Sequence, residues 1–148
     1  MTFSDRHWTH RYEKLGDEAE GVFEEVWAEP FVRAGHARPP FSIQKLPLLE
    51  RYRPDYLTPT QYVECLGVGR DQIVKVKVEK YGVLQYWNGV QAVEVFVWDS
   101  HKKRWSSAPL DDITKWIDAG KASLGYFPEQ KAYVAVPTSC FTDWRARS

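Results

Sequence analysis

The chain has little cysteine, no long apolar run and no surplus of charge. Its two cysteines among 148 residues, Cys65 and Cys140, stand alone with no CxxC partner. Isolated thiols of this kind are expected to be reduced and mostly buried, and they offer no zinc site. His7 and His10 lie three apart near one end without further ligands, so an incidental pair is expected there. No apolar stretch approaches the length that spans a bilayer, and the opening "MTFSDRHWTHRYEK" has no signal-peptide core. An intracellular, cytoplasmic protein without a membrane partner is therefore expected. The 20 basic residues balance 20 acidic ones, which excludes a protein that coats nucleic acid by charge alone. It does not exclude a nuclease, because acidic metal ligands offset a local basic patch. Internal repeats, low-complexity segments, a Walker motif, G-x-S-x-G and Cys/His catalytic spacing are all missing, and no small-molecule cofactor is implied.

What is present is a folding sequence. Hydrophobic residues at 43% and aromatics at 15% are enough for a substantial core. One domain over 1–148 is expected, with a core of about 11–120 and a C-terminal strand and tail over 121–148. Residues 13–28, "EKLGDEAEGVFEEVWA", place Leu15, Ala19, Val22, Phe23, Val26 and Trp27 on one helical face, with Pro30 as the stop. "GHARPP" (35–40) is a loop. "FSIQKLPLLERY" and "QYVECLG" are strand candidates either side of the turn-rich "PDYLTPT". Residues 71–88 begin as an alternating strand and are expected to turn helical by about Lys77. "AVEVFVWDS" (92–100) is the clearest strand, and "KKRWSSA" can pair with it as a hairpin. "LDDITKWIDAG" (110–120) is a helix with acids in its first turn and Gly120 at its stop, and "KAYVAV" (131–136) is a last strand. The order predicts a mixed α/β fold, with a central mixed β-sheet flanked by helices.

Asp55 and Glu64 carry the chemistry. Asp55 follows Pro54, which favours extended or turn backbone, and Glu64 sits inside the apolar "YVECL". A carboxylate there would be partly buried, which is costly unless a cation or metal stands beside it. Two strands joined by a short connection bring the two acids together, and paired carboxylates suit a hard divalent cation such as magnesium. The plainer alternative is a turn-capping Asp55 with Glu64 on a solvent-facing edge. Glu20 borders the apolar face of the first helix and could add a third carboxylate. Glu18 borders its other edge, so helical geometry favours Glu20 only narrowly.

With these blocks in order, "LGDEAEGVFEEV", "RPDYL" and "YVECLG", the chain resembles the PD-(D/E)XK nuclease superfamily. The likeness is strongest to small Holliday-junction resolvases and related phage-encoded nucleases. It covers roughly residues 11–100 and implies a restriction-endonuclease-like core. It implies that "LGDEAE" matches a G-x-x-A-E helix pattern, which points to Glu20, that Asp55 is the PD aspartate, and that Glu64 opens the E-x-K motif. Glu20, Asp55, Glu64 and the backbone carbonyl of Cys65 would hold Mg2+ or Mn2+. Branched DNA as substrate and a homodimer that cuts two strands are further implications, as is action in the host cytoplasm for a phage-encoded enzyme. The sequence departs from the pattern at Leu66, where the family has lysine. In some members that lysine has moved to a neighbouring element. Lys77 is the first candidate here, Lys75 the second, and Lys80 the third. Arg51, Arg53, Arg70, Lys75 and Lys80 form a basic set suited to DNA binding, although a solvated basic face that contacts phosphates without chemistry explains the lysines too. "HKKR" (101–104) is a second basic patch or simply a hairpin turn. "GVG" (67–69) could let backbone approach a phosphate, but turn-forming glycine is the commoner use. Without the lysine function the alternative is a non-catalytic nucleic-acid-binding module.

Overall fold

A computed structural model describes residues 3–36 and 45–147, with side chains from Leu15 onward. The histidine pair at 7 and 10 therefore lies outside the described side chains, and much of the expected 35–40 loop lies outside the described residues.

The protein is a mixed α/β fold in which one sheet separates two apolar cores. Helix α1 (Phe3–Val26) is followed by the two-residue strand β1 (Val32–Arg33), the short helix α2 (Leu48–Arg51) and strand β2 (Tyr56–Leu57). Next come β3 (Tyr62–Val68), β4 (Ile73–Lys77), α3 (Val78–Val90), β5 (Val93–Asp99), β6 (Arg104–Pro109) and α4 (Leu110–Asp118). Strands β7 (Ser123–Tyr126) and β8 (Ala132–Pro137), a single 3-10 turn and β9 (Arg145–Ala146) complete the chain. The main sheet runs β1-β2-β3-β5-β6-β9, and a small antiparallel sheet runs β4-β8-β7.

The central strands explain the layering. β3 and β5 are parallel, so the chain must cross over between them, and α3 makes that crossover. Side chains alternate across a strand, and both faces of β5 are covered, which is why "VEVFVWD" is nearly continuously apolar. Val93, Val95 and Val97 join Val68, Val74, Val76, Leu84, Ile113, Val134 and Val136 in one core, under α3, α4 and the small sheet. Phe96 and Trp98 point the other way, into a core with Ala19, Val22 and Phe23 of α1 and with Tyr56, Val63 and Cys65. Phe23 stacks on Tyr56 with centroids 4.5 Å apart, which fastens α1 to the β2 end of the sheet.

Several expected elements differ from those observed. Within the described part of 41–52, "LLER" is a helical turn after Pro47 rather than a strand, because proline's fixed φ suits a helix start. The "PDYLTPT" turn contains β2, whose Tyr56 is buried by α1. "KAYVAV" is not last, since β9 pairs with β6 at the sheet edge, and β7 pairs with β8. The β4–α3 junction falls at Lys77, as the periodicity predicts. Gly67 lies inside β3 instead of in a turn. A Cβ there would sit 2.5 Å from the Leu15 carbonyl oxygen, so this glycine lets the backbone of α1 press against the sheet. "HKKR" forms the β5–β6 turn, with Lys103 in the left-handed region at φ 55°.

Candidate acid-lysine site

The site begins with strand parity. Tyr62, Leu66 and Val68 of β3 face the core beneath α3, whereas Val63 and Cys65 face α1. Glu64 therefore stands in an apolar row, and it is 1% exposed. The β2–β3 ladder pairs Leu57 with Tyr62 and Tyr56 with Val63. One step further along the same register sets Asp55 across from Glu64, just where β2 ends. The Asp55 carboxylate is held there by the backbone N–H of Cys65, which donates to Oδ2 at 2.8 Å.

A lysine completes the pair. Lys80 lies in the first turn of α3, and its ammonium forms an ion pair with Glu64 Oε2. Burial raises the Lys80 problem and the acids solve it: desolvation pushes its pKa down, but Glu64 and Asp55 outweigh that and hold it above the ordinary lysine value. Burial pushes both carboxyls up. The Asp55 pKa is well above its ordinary value through desolvation and the nearby Glu64 charge, partly opposed by Lys80. That of Glu64 is raised by desolvation, again opposed by Lys80. Glu64 Oε1 is buried and, among the described residues, has no partner at full hydrogen-bond geometry, although the Asp55 backbone N–H approaches the carboxylate closely enough to lower its pKa a little. A carboxylate oxygen without a full hydrogen bond in such a place is uncommon and asks for a donor or a cation.

Glu20 reaches the pair electrostatically, and its charge helps to raise the pKa of both Asp55 and Glu64. Arg33 of β1 holds it, with Nη1 donating to Glu20 Oε1 at 3.2 Å and Nη2 donating to the Tyr56 hydroxyl at 3.0 Å. Tyr56 in turn donates to Glu24 at 2.8 Å. The other helix acid, Glu18, accepts from Trp98 Nε1 at 3.3 Å and so serves the packing of α1. Among the described residues, no group of three or more His, Cys, Asp or Glu side chains is gathered closely enough to hold a metal ion by itself. The donors at hand are the Asp55–Glu64 pair with its unpartnered oxygen, and Glu20 tethered beside it.

The remaining basic residues divide. Lys75, Lys77 and Lys80 line one cleft of about 210 Å³ with Gly16, Cys65 and Leu66 among its walls. The ammonium that meets the acid pair is that of Lys80, whereas the sequence ranks Lys77 first. Lys77, the last residue of β4, lines this cleft without an ion pair to a described acid, whereas Lys80, three residues on in α3, reaches Glu64. Lys75 pairs with Asp71 at 2.8 Å. Arg51 donates to the Leu46 carbonyl at 3.1 Å and lies 3.9 Å from Glu79. Arg53 pairs with Glu50 and sits over the Trp87 ring, 5.2 Å from its centroid. Arg70 is exposed in the β3–β4 turn. Sequence reasoning missed Arg33, whose "FVRAG" context carries no local sign of its partner 13 residues earlier. Trp105 stacks on Phe96 and Trp116 packs on Phe141, whereas Tyr126 is exposed.

No known family profile matches the chain, and no curated protein matches it in sequence. Among solved structures, a nuclease from a fusselovirus superimposes over 97% of this chain and 88% of its own, with TM-score 0.46 and 10% identity. A likeness at that level carries no weight for activity. Fold and site together define a mixed α/β protein with a buried acid–acid–lysine site at a strand end.

Proposed function

We propose that the protein is a metal-dependent DNA endonuclease that hydrolyses phosphodiester bonds. One observation carries the proposal: the Lys80 ammonium meets Glu64 beside Asp55, although Leu66 fills the position where an in-strand lysine would stand. Residue 66 shares a strand face with residue 64, so a lysine there would offer its amine to the same carboxylate. α3 crosses over that face, and the long stem of Lys80 brings an amine to it from above.

In this reading Asp55, Glu64, Glu20 and the Cys65 carbonyl would hold Mg2+ or Mn2+. When bound, the ion supplies Lewis acidity and charge neutralisation to a phosphodiester. Asp55 is oriented by the Cys65 amide, and Arg33 positions Glu20. Lys80 balances the acid pair and stands ready to orient the attacking water and to offset charge gathering on the phosphate oxygens. Apolar neighbours Tyr62 and Leu66 limit water around Glu64 and strengthen each of these interactions. Branched DNA and a homodimer complete the proposal, both resting on the resolvase resemblance.

The test is incubation of end-labelled four-way-junction and linear DNA with Mg2+ or Mn2+, beside Glu64→Ala and Lys80→Ala. Cleavage by the wild type that disappears in both variants is expected, with the junction cut faster. Cleavage that survives Glu64→Ala would reject the site. A non-catalytic DNA-binding module is the second reading, favoured by the lack, among the described residues, of three gathered metal-ligand side chains. It predicts junction binding without cleavage by the wild type.

A further inference from the structure

The hairpin β7–β8 lies outside every motif discussed so far, yet its tip overhangs the cleft. Phe127 N–H donates to the Lys131 carbonyl at 2.9 Å and Gln130 N–H donates to the Phe127 carbonyl at 2.8 Å, which closes the tip into a tight turn. Gln130 takes the left-handed conformation, with φ 68°. Register fixes where the tip falls: β8 pairs antiparallel with β4, Tyr133 opposite Lys77, so Lys131 is carried past the end of β4. There Lys131 and Lys77 wall a cleft of about 200 Å³ together with Tyr52, Val78, Glu79 and Ala132. Tyr52 and Lys77 also wall the cleft that contains Lys75 and Lys80, so the two hollows adjoin. Phe127, from the same turn, walls the second.

Lysines thus line both hollows: Lys131 and Lys77 the first, and Lys77, Lys75 and Lys80 the second, where Lys80 meets Glu64. Two are already committed, Lys75 to Asp71 and Lys80 to Glu64. Lys77 and Lys131 make no ion pair with any described residue. Lys77 is half-buried, and its pKa is lowered first by desolvation and next by the Lys131 charge, with Glu129 and Glu79 opposing that shift only in part. Two ammoniums held close together against a partly dry wall repel one another, and an anion between them would relieve the repulsion.

We infer that Lys77 and Lys131 form a phosphate-binding station for a DNA strand that runs along this trough to Lys80, and that the β7–β8 hairpin is a substrate-positioning element. The inference rests on the nuclease reading for the direction of the strand, but not for the binding itself. Lys77 is thereby a positioning residue rather than the lysine of the reacting centre. Sequence gave Lys131 no special mark, because it lies 54 residues from Lys77 and only strand pairing brings them together.

The test is fluorescence anisotropy with fluorescein-labelled DNA in EDTA, where no cleavage can occur, over a series of salt concentrations. Lys77→Ala/Lys131→Ala is expected to weaken binding by about 10-fold or more and to reduce the slope of log K against log salt by about 2. Lys77→Arg/Lys131→Arg should keep most of the affinity and the slope, since the charges remain. Thermal unfolding run on both variants confirms a folded protein. Lys115→Ala, on the exposed face of α4, should bind as the wild type does. An alanine double variant with wild-type affinity and slope overturns the inference, whatever the cleavage assay gives. A wild type that never cleaves DNA, but whose binding falls with Lys77 and Lys131 as stated, overturns the nuclease reading and supports this station.

Discussion

Asp99 and Glu64 are both buried carboxylates on adjacent parallel strands, each beside one basic side chain, yet their environments are opposite. Asp99 at the end of β5 is 0% exposed and receives four donors. These are Gln72 Nε2 at 3.0 Å, the backbone N–H groups of His101 and Lys102 at 3.0 and 3.1 Å, and Arg104 Nε at 2.9 Å. Gln72 is itself fixed by Thr138, whose hydroxyl donates to its Oε1 at 3.1 Å. Burial pushes the Asp99 pKa up, but the Lys102 amide, Arg104 and Gln72 together hold it below the ordinary value. Among the described residues Glu64 has Lys80 as its one cation, an oxygen without a full hydrogen bond and a raised pKa. A fully satisfied carboxylate locks a hairpin turn to the small sheet. An under-satisfied one stores unfavourable free energy that a ligand can release.

The largest expected effect breaks this contrast at the Glu64 end. Glu64→Gln, nearly the same in shape, should lower DNA cleavage on the order of 10³-fold. Its folding stability should also fall, by about 2 kcal/mol, because the buried Lys80 ammonium loses its partner and Asp55 remains to balance it. Urea unfolding beside a single-turnover assay measures both. The matching change at the other end, Asp99→Asn, should cost about 3 kcal/mol, since the amide cannot accept from donors on both sides. Cleavage per folded molecule should be retained, and a lost stability with lost specific activity would show that the two regions are not separable.

Lys80→Met should lower cleavage by about 10²-fold and leave DNA affinity close to wild type, in contrast with the Lys77/Lys131 variants. Lys80→Arg should not restore the rate, because a planar guanidinium places its charge differently from an ammonium. Equal losses from Lys77→Ala and Lys80→Ala in the rate at saturating DNA would blur the distinction between the two lysines.

The smallest effect is in pH dependence, and it differs in sign between the two regions. Asp55 and Glu64 have raised pKa values in the fold, so the metal-free folded state holds protons that the unfolded chain has released. Stability should therefore fall as pH rises from the ordinary carboxylate range toward their folded values. Asp99 has a lowered pKa, so its contribution is present above the ordinary aspartate range and fades as pH falls through its folded value. Denaturation in EDTA across the acid range should show the first slope disappear in Asp55→Asn/Glu64→Gln and the second in Asp99→Asn.

Much of this was legible along the chain. Periodicity alone located the α1 face, β5, the β4–α3 junction at Lys77 and the α4 stop at Gly120, because those patterns are local and strong. The acid pair was legible as two candidates, since a glutamate within "YVECL" contradicts its apolar neighbours. The short strands β1, β2 and β9 were not, because two residues carry no periodicity and exist only where a partner strand satisfies them. Gly67 shows the same limit: its requirement comes from the Leu15 carbonyl across the helix–sheet contact, not from its neighbours in sequence.

By itself the sequence determined the mixed α/β class, the position of strand β5 and the placement of a carboxylate where the core should be apolar. Only the tertiary structure decided which lysine answers that carboxylate. Strand parity ruled on residue 66, but the choice among Lys75, Lys77 and Lys80 depended on how the crossover helix α3 packs over β3. The pairing of Lys131 with Lys77 depended on the register of β8 against β4. Both are contacts between distant segments, where the reach of a side chain is set by packing rather than by spacing along the chain.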